Sequence, residues 1–329
     1  MVYIPIVMPL MLKLGFDTLT TMGTVVLGSA IGFTAGIANP FTIVIGQKLC
    51  DLPLYSGWQF RIVTFIVFYL VGVIYMVRYG KKVLADPSRS SMYQEDIAIR
   101  KRVLGASSGV QNTMTFRKKI ASIFTVALFI FMFVGIMAFG WDVAEMSGLF
   151  LVIGVGAGLI AGLDTRTLCV TFSDGCKDVM MGALFISIAR GTAIVMEEGQ
   201  IIDTIVHGCA TFLTNMPSQF VVLGIFLIVT VLNFFVSSGS GKAVMLFPIL
   251  SPLADICGIT RQTAILAYQF GDGLTNMFWP TNGVQGACLG IIGIPWNKWA
   301  KFYGPLLLIW CLLGCVFLLI AQAIQFGPF

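Results

Sequence analysis

Six runs of the chain, residues 61–77, 120–140, 147–163, 178–196, 219–236 and 302–325, are rich in Leu, Ile, Val and Phe and nearly free of charge. A helix needs about 20 apolar residues to cross the hydrocarbon of a bilayer, or about 17 at the short end. At that depth every backbone N–H and C=O must be satisfied within the protein, so uninterrupted runs of this kind cross as helices. The chain is therefore predicted to be an all-α polytopic membrane protein. Its charge content agrees, since Asp, Glu, Lys and Arg make up 11% of the 329 residues against about 25% in a soluble domain. A soluble enzyme is excluded.

Three further segments, 3–14, 18–47 and 243–293, are apolar but interrupted. Within 18–47 the interruption runs from Gly32 to Pro40. Within 243–293 it runs from Gly271-Asp272-Gly273 through Asn276 to Trp279-Pro280-Thr281-Asn282-Gly283. A third polar knot, Ser237 to Lys242, joins the apolar runs 219–236 and 243–254 and is predicted as the tip of a re-entrant hairpin. Unwound backbone at membrane depth is tolerated only where protein buries it or where it lines a cavity. Discontinuous transmembrane helices and a hairpin are thus expected to surround a site.

Laid over one another without a gap, residues 2–39 and 245–282 share eight identities: Pro5/Pro248, Ile6/Ile249, Pro9/Pro252, Leu10/Leu253, Gly15/Gly258, Thr20/Thr263, Gly28/Gly271 and Asn39/Asn282. Interrupted segments at corresponding places in two halves point to a carrier built from structural repeats. Loop charges assign the direction of each copy. Residues 78–119 hold 10 of the 20 Lys and Arg but 3 of the 15 Asp and Glu, which makes this a cytoplasmic loop by the positive-inside bias. Segment 3–14 then ends inside and 243–257 outside, so the copies are inverted. The predicted outside loops 141–146 and 197–204 contain no Lys or Arg, while the predicted inside turn 294–301 carries Lys298 and Lys301. This parity requires 201–216, with His207 and Asn215, to lie along the outer surface.

The chain accordingly divides into 1–77, the remainder of a first inverted repeat (second limb of a hairpin, broken helix, following span); 78–119, the basic cytoplasmic loop; and 120–329, the second repeat. The second repeat comprises scaffold spans, the hairpin 219–257, the broken helix 261–293 and a last span 302–325, with the C-terminus outside. A basic loop between two spans offers no soluble domain to nucleic acid, which is not expected as a partner.

A carrier needs weak, oriented contacts rather than a nucleophile. Helix N-termini present free N–H groups and partial positive charge to a carboxylate, and carbonyl-rich C-terminal ends suit Na⁺. Ser237, Ser238 and Ser240 add hydroxyls, and Gly239 and Gly241 permit a tight turn. Asn276, Thr281 and Asn282 offer amide and hydroxyl groups from the second broken helix, as Asn39 and Thr42 do from the first. An acid within a span is a functional candidate by default. Asp272 suits a proton or Na⁺ site, the counter-charge for a cationic solute, or an ion pair with Lys242 or Arg190. Lys242 can instead meet a substrate carboxylate, and an α-amino acid would satisfy both charges. Enzyme motifs fail. SGSGKA lacks the first Gly and the last Ser or Thr of a phosphate loop, no HExxH or GxSxG occurs, and His207 is the sole histidine. No cofactor or metal site is expected beyond Na⁺ or H⁺ coupling at the same loops.

The runs SSGSGKAVMLFPILSPLADICGI, AYQFGDGLTNMFWPTNG and GIPWNKWAKFYGPLL resemble the YfcC-like branch of the C4-dicarboxylate anaerobic carrier family, in the ion transporter superfamily. IARGTAIVMEEGQIIDTIV and GIANPFTIVIGQ resemble it too, so that the likeness covers essentially the whole chain. It implies a secondary active transporter in a bacterial inner membrane, working by alternating access with ion or exchange coupling. The implied solute is small, charged and carboxylate-bearing: an amino acid, as for a basic amino acid antiporter, or a C4-dicarboxylate. The resemblance also implies a homodimer in the lipid bilayer. It places the tip serines, the NPF residues Asn39, Pro40 and Phe41, and the QFGDG…N…PTN residues, Gln269, Asp272, Asn276, Thr281 and Asn282 among them, around solute and coupling ion. Two departures stand out. The family carries a first hairpin and scaffold helices ahead of the point where this sequence starts, so the partner of Ser237–Gly241 is expected to lie outside it. Lys242 stands where the family pattern implies an uncharged residue, which leaves the solute preference open. A truncated, non-transporting membrane remnant or an assembly subunit is the alternative.

Overall fold

The computed structural model describes residues 3–107, 115–139, 143–201 and 216–327, together with 141, 204, 208, 211 and 213. The described elements are helices joined by turns, in two compact units. The smaller unit, Gly105–Met180, holds α6 (Phe116–Phe139), α7 (Val143–Ala161) and the first half of α8 (Thr165–Glu198). In it α6 packs on α7, with Phe129 edge-on to Phe150 at 5.9 Å between ring centroids.

The larger unit, Met1–Leu104 with Met181–Phe329, contains the remaining labelled elements. These are α1 (Ile4–Lys13), α2 (Thr18–Thr34), α3 (Ile43–Leu49), α4 (Trp58–Ala85) and α5 (Tyr93–Ser107), then α9 (Ser218–Phe235), α10 (Gly239–Ile256), α11 (Arg261–Asn276), α12 (Gly283–Ile292) and α13 (Trp296–Ala323). At its centre lies α11, in which every residue from Gln262 to Asn276 is buried. It packs against α2, α3, α9, α10 and α13. A helix buried on all sides is ordinarily apolar all round. Here Gln262, Gln269, Asp272, Thr275 and Asn276 are buried with the apolar residues, so the core of the unit is where polar groups have been concentrated.

Lipid-facing surfaces surround that core. Among the described residues three helices are long and apolar enough to cross a membrane: α4, Ala144–Ala161 within α7, and α13. On α13 the inward side carries Trp299, Tyr303, Trp310 and Leu318, all buried, and the outward side exposes Leu308, Leu312 and Val316. An apolar stripe of this kind on an exposed helix face is solvated by hydrocarbon, not by water.

The helix breaks are shorter than the sequence suggests. In α2 the chain passes through Gly32 and ends at Thr34, with a π-turn at Gly23–Leu27, and α11 continues through Gly271, Asp272 and Gly273 to Asn276. Gly271 and Gly273 stand where neighbouring helices leave no room for a side chain: a Cβ on Gly271 would lie 2.7 Å from the Phe226 carbonyl oxygen. The unwound stretches are 35–42 and 277–282. Likewise Gly239–Lys242 forms the first turn of α10, and only 236–238 is unwound at that tip. The basic segment 78–119 includes the end of α4, a 3₁₀ turn at Pro87–Arg89 and α5. Most of 201–216, with His207 and Asn215, lies outside the described residues, as does the side chain of Arg190.

Helix ends within the larger unit gather in two sets. In one, the Arg100 guanidinium donates to the carbonyls of Leu12, Gly15 and Phe16 at 2.7–3.0 Å, and Lys298 Nζ lies 2.6 Å from Glu95 Oε1. In the other, Gln262 Nε2 donates to the Ser56 carbonyl at 2.6 Å, Arg261 to the Cys50 carbonyl at 2.9 Å and Gln322 to the Gly258 carbonyl at 3.2 Å.

Candidate functional site

Two helices begin at one cavity. Ser238 caps α10, its Oγ accepting from Gly241 N at 3.2 Å, and Asn282 caps α12, its Oδ1 accepting from Gln285 N at 3.1 Å. Short polar residues start helices because their side chains satisfy a donor that the helix itself leaves unpaired. The other first-turn N–H groups of each helix remain directed outward, with the positive end of the helix dipole behind them. Ser237, Gly239, Ser240, Asn276 and Asn282 line the same cavity of about 390 Å³.

Its opposite wall comes from the first broken helix. Phe33 and Phe41 line the cavity and stack with their centroids 6.4 Å apart. Asn39 sets both, donating from Nδ2 to the Phe33 carbonyl at 2.8 Å and accepting at Oδ1 from Phe41 N at 2.9 Å. Ser29 adds a hydroxyl to this side. Asn39 is thus a brace for the aromatic wall and does not itself line the cavity.

The two site charges meet each other. Lys242 Nζ lies 2.7 Å from Asp272 Oδ1, with both side chains fully buried. The ammonium also donates to Asn233 Oδ1 at 2.6 Å and to the Val236 carbonyl at 3.3 Å. Asp272 Oδ2 accepts from Asn276 Nδ2 at 3.2 Å. Breaking such a pair by removing one partner leaves an uncompensated buried charge, at a cost of about 3–5 kcal/mol. Of the roles open to Asp272 from sequence, the ion pair with Lys242 is the one this geometry contains. A Cβ on Gly239 would lie 2.9 Å from Asp272 Oδ2 and 3.2 Å from the Phe33 ring, so this position holds hydrogen alone.

The remaining candidates sit nearby with other partners. Thr281 donates to the Phe234 carbonyl at 2.6 Å and ties the second break to the end of α9. Gln269 Nε2 donates to the Gly36 carbonyl at 3.0 Å and joins α11 to the first break. Its Oε1, and Oγ1 of the buried Thr42, have no hydrogen-bond partner among the described residues. Tyr268 reaches from α11 to the carbonyl of Gly239 at 2.6 Å.

Four residues of this arrangement escape a reading of the sequence, Ser29, Phe33, Asn233 and Tyr268, whereas Phe41 of the NPF run lines the cavity. Asn233 carried a usable signal, an amide inside the apolar run 219–236. The aromatic residues carried none, because 27 Phe and 8 Tyr make any one of them unremarked in a chain of this composition.

The "Putative basic amino acid antiporter YfcC" of Escherichia coli K12 is 29% identical over 328 residues, covering 96% of this chain and 64% of that protein. An uncharacterized protein of Haemophilus influenzae is 31% identical over 321 residues, covering 97% of this chain and 62% of its own. The chain thus spans less than two thirds of the length of either relative. No solved structure matches it. The pattern of the C4-dicarboxylate anaerobic carrier family, by contrast, matches residues 1–323, and the chain belongs to that family.

Proposed function

We propose that the protein is a secondary active carrier, which passes a small carboxylate-bearing solute across a bacterial inner membrane by alternating access. The observation that carries this is the cavity at which α10 and α12 both begin, lined by serine hydroxyls and asparagine amides. Two helix N-termini offer unpaired N–H donors and positive potential to an anion. The charged pair beside them, Lys242 and Asp272, is neutral in sum and engaged with itself. A C4-dicarboxylate therefore fits the lining first. A basic amino acid is the competing class, from the name of the Escherichia coli relative.

Inverted repeats are part of this proposal, and matched local geometry supports them. Gly15 and Gly258 both have positive φ, +94° and +70°. Two residues after each, Asp17 and Thr260 cap the next helix by accepting from Thr20 N and Thr263 N. Asn39 and Asn282 each donate six residues back, to the Phe33 carbonyl and to Asn276 Oδ1. Each set ends in a helix of 28 residues, α4 and α13. The inversion is supported by the ends of α1 and α10: Gly15 is held by Arg100, and Gly258 by Gln322 at the other set of helix ends. Coupling to Na⁺, H⁺ or a counter-solute completes the cycle.

The test is exchange of labelled solute in vesicles containing the purified protein, with succinate, arginine and neutral amino acids compared. Saturable exchange of a dicarboxylate, with a KM raised at least about tenfold in Asn282→Ala, is the expected result, since that variant loses a helix cap worth about 1 kcal/mol and an amide in the cavity. Asn282→Ser restores the cap and the melting temperature but not the KM. Exchange of arginine alone would move the solute to the amino acid class. Absence of exchange for every solute, by protein that melts cooperatively, would sink the proposal.

A further inference from the structure

Three oxygens from three places in the chain converge on one point in the larger unit. Asp272 Oδ1 comes from α11, Asn233 Oδ1 from α9 and the carbonyl of Val236 from the C-terminal cap of α9, at 2.7, 2.6 and 3.3 Å from Lys242 Nζ. The amide of Asn233 cannot be turned round. Its Nδ2 already donates to the Asp272 carbonyl at 2.8 Å and to Thr275 Oγ1 at 2.9 Å, and Thr275 in turn donates to the Gly271 carbonyl at 2.8 Å. The oxygen is thereby held toward the ammonium. A carboxylate, an amide oxygen and a carbonyl at a helix C-terminal end are hard oxygen ligands of the sort that hold an alkali cation beside broken helices. An ammonium has the charge of such a cation and nearly the size of K⁺.

We propose that this is a seat for a monovalent cation that the chain fills permanently with its own Lys242, so that the native protein takes neither Na⁺ nor K⁺ there, and that removing the ammonium converts it into an alkali-cation site. The seat is built independently of its occupant, since Asn233 is oriented by Thr275 and the Asp272 carbonyl, and Asp272 Oδ2 by Asn276. Its consequence for coupling rests on the carrier proposal: a lysine that stays in place frees transport from Na⁺ at this position. Occupancy itself is a property of the folded chain.

The experiment is thermal unfolding of the full chain in lipid or detergent at constant ionic strength, in NaCl, KCl or choline chloride. The native protein is expected to melt at one temperature in all three salts. Lys242→Ala is expected to melt lower in choline and to recover by several degrees, saturably, in Na⁺ or K⁺; recovery of folded protein only from Na⁺ or K⁺ media carries the same meaning. Lys242→Ala/Asp272→Asn, which leaves no net charge in the seat, is expected to lose the cation response. Saturable stabilisation of the native protein by Na⁺ or K⁺ overturns the inference. So does a Lys242→Ala protein that melts alike in all three salts, or one that is unfolded in all of them. Because the readout is melting and not transport, a failure of solute exchange with this salt behaviour intact counts against the carrier proposal alone.

Discussion

Asp96 shows how a single side chain outside the apolar core is tuned by its surroundings. Its Oδ1 accepts from Thr18 Oγ1 at 2.6 Å, and burial raises its pKa from the ordinary 3.8, with Asp17 nearby adding to the rise and the Thr18 hydroxyl opposing it. Folding therefore favours the protonated form. From the ordinary aspartate value up to the raised one the folded state holds more protons than the unfolded, so stability falls as pH climbs through that window. Asp96→Asn removes this slope. Melting temperatures of the two proteins measured between about pH 4 and pH 7 should converge at the acid end and separate, with the variant higher, toward neutrality; curves that stay parallel would refute the assignment. Lys242 and Asp272 show where a residue-by-residue reading stops: it offered their ion pair as one role among several, and the folded chain contains it. The two lie 30 apart in sequence, so sequence alone left Arg190, an ion or a solute as equal partners for Asp272.

At the scale of elements, apolar runs located the helices well and glycines misplaced their ends. Gly271 and Gly273 read as part of a break because glycine is among the poorest helix formers, yet both lie inside α11. Their reason for being there is proximity. A Cβ on Gly273 would lie 2.5 Å from Thr34 Oγ1 and 2.6 Å from Thr34 Cα, and that backbone atom cannot rotate away. Gly273→Ala is expected to push α2 from α11 and to cost about 2–3 kcal/mol, the upper range for an overpacked contact. Gly290→Ala, where a Cβ meets nothing within 4 Å, is expected to be neutral or to stabilise α12 by up to about 1 kcal/mol. Thermal melts of the two variants side by side check this, and equal effects would discredit the packing argument.

For the whole molecule, the decisive asymmetry is which helix ends lie together. The segment 78–119 meets the end of α1 through Arg100 and the start of α13 through Glu95. The turn after α3 meets the start of α11 through Cys50 and Ser56. If the basic segment is cytoplasmic, as its excess of Lys and Arg implies, the turn carrying Leu54 faces the other side. In a background with the eight cysteines replaced, Leu54→Cys should react with a membrane-impermeant maleimide in intact spheroplasts. Arg89→Cys should react only after the membrane is opened. The opposite pattern would reverse the topology, and labelling of both in intact cells would show that the chain does not sit across the bilayer as proposed.

Hydropathy, proline and asparagine positions and loop charge are properties of short stretches, so the amino-acid sequence alone determined the helical membrane class, the places where helices are interrupted and most polar residues of the cavity. The exact ends of those helices, the aromatic wall of Phe33 and Phe41 and the oxygen seat of Lys242 were decided by the tertiary structure. Each depends on which surfaces of distant segments come within van der Waals or hydrogen-bond reach, and at membrane depth, where water cannot satisfy a stray polar group, that packing settles what every buried amide and charge must bind.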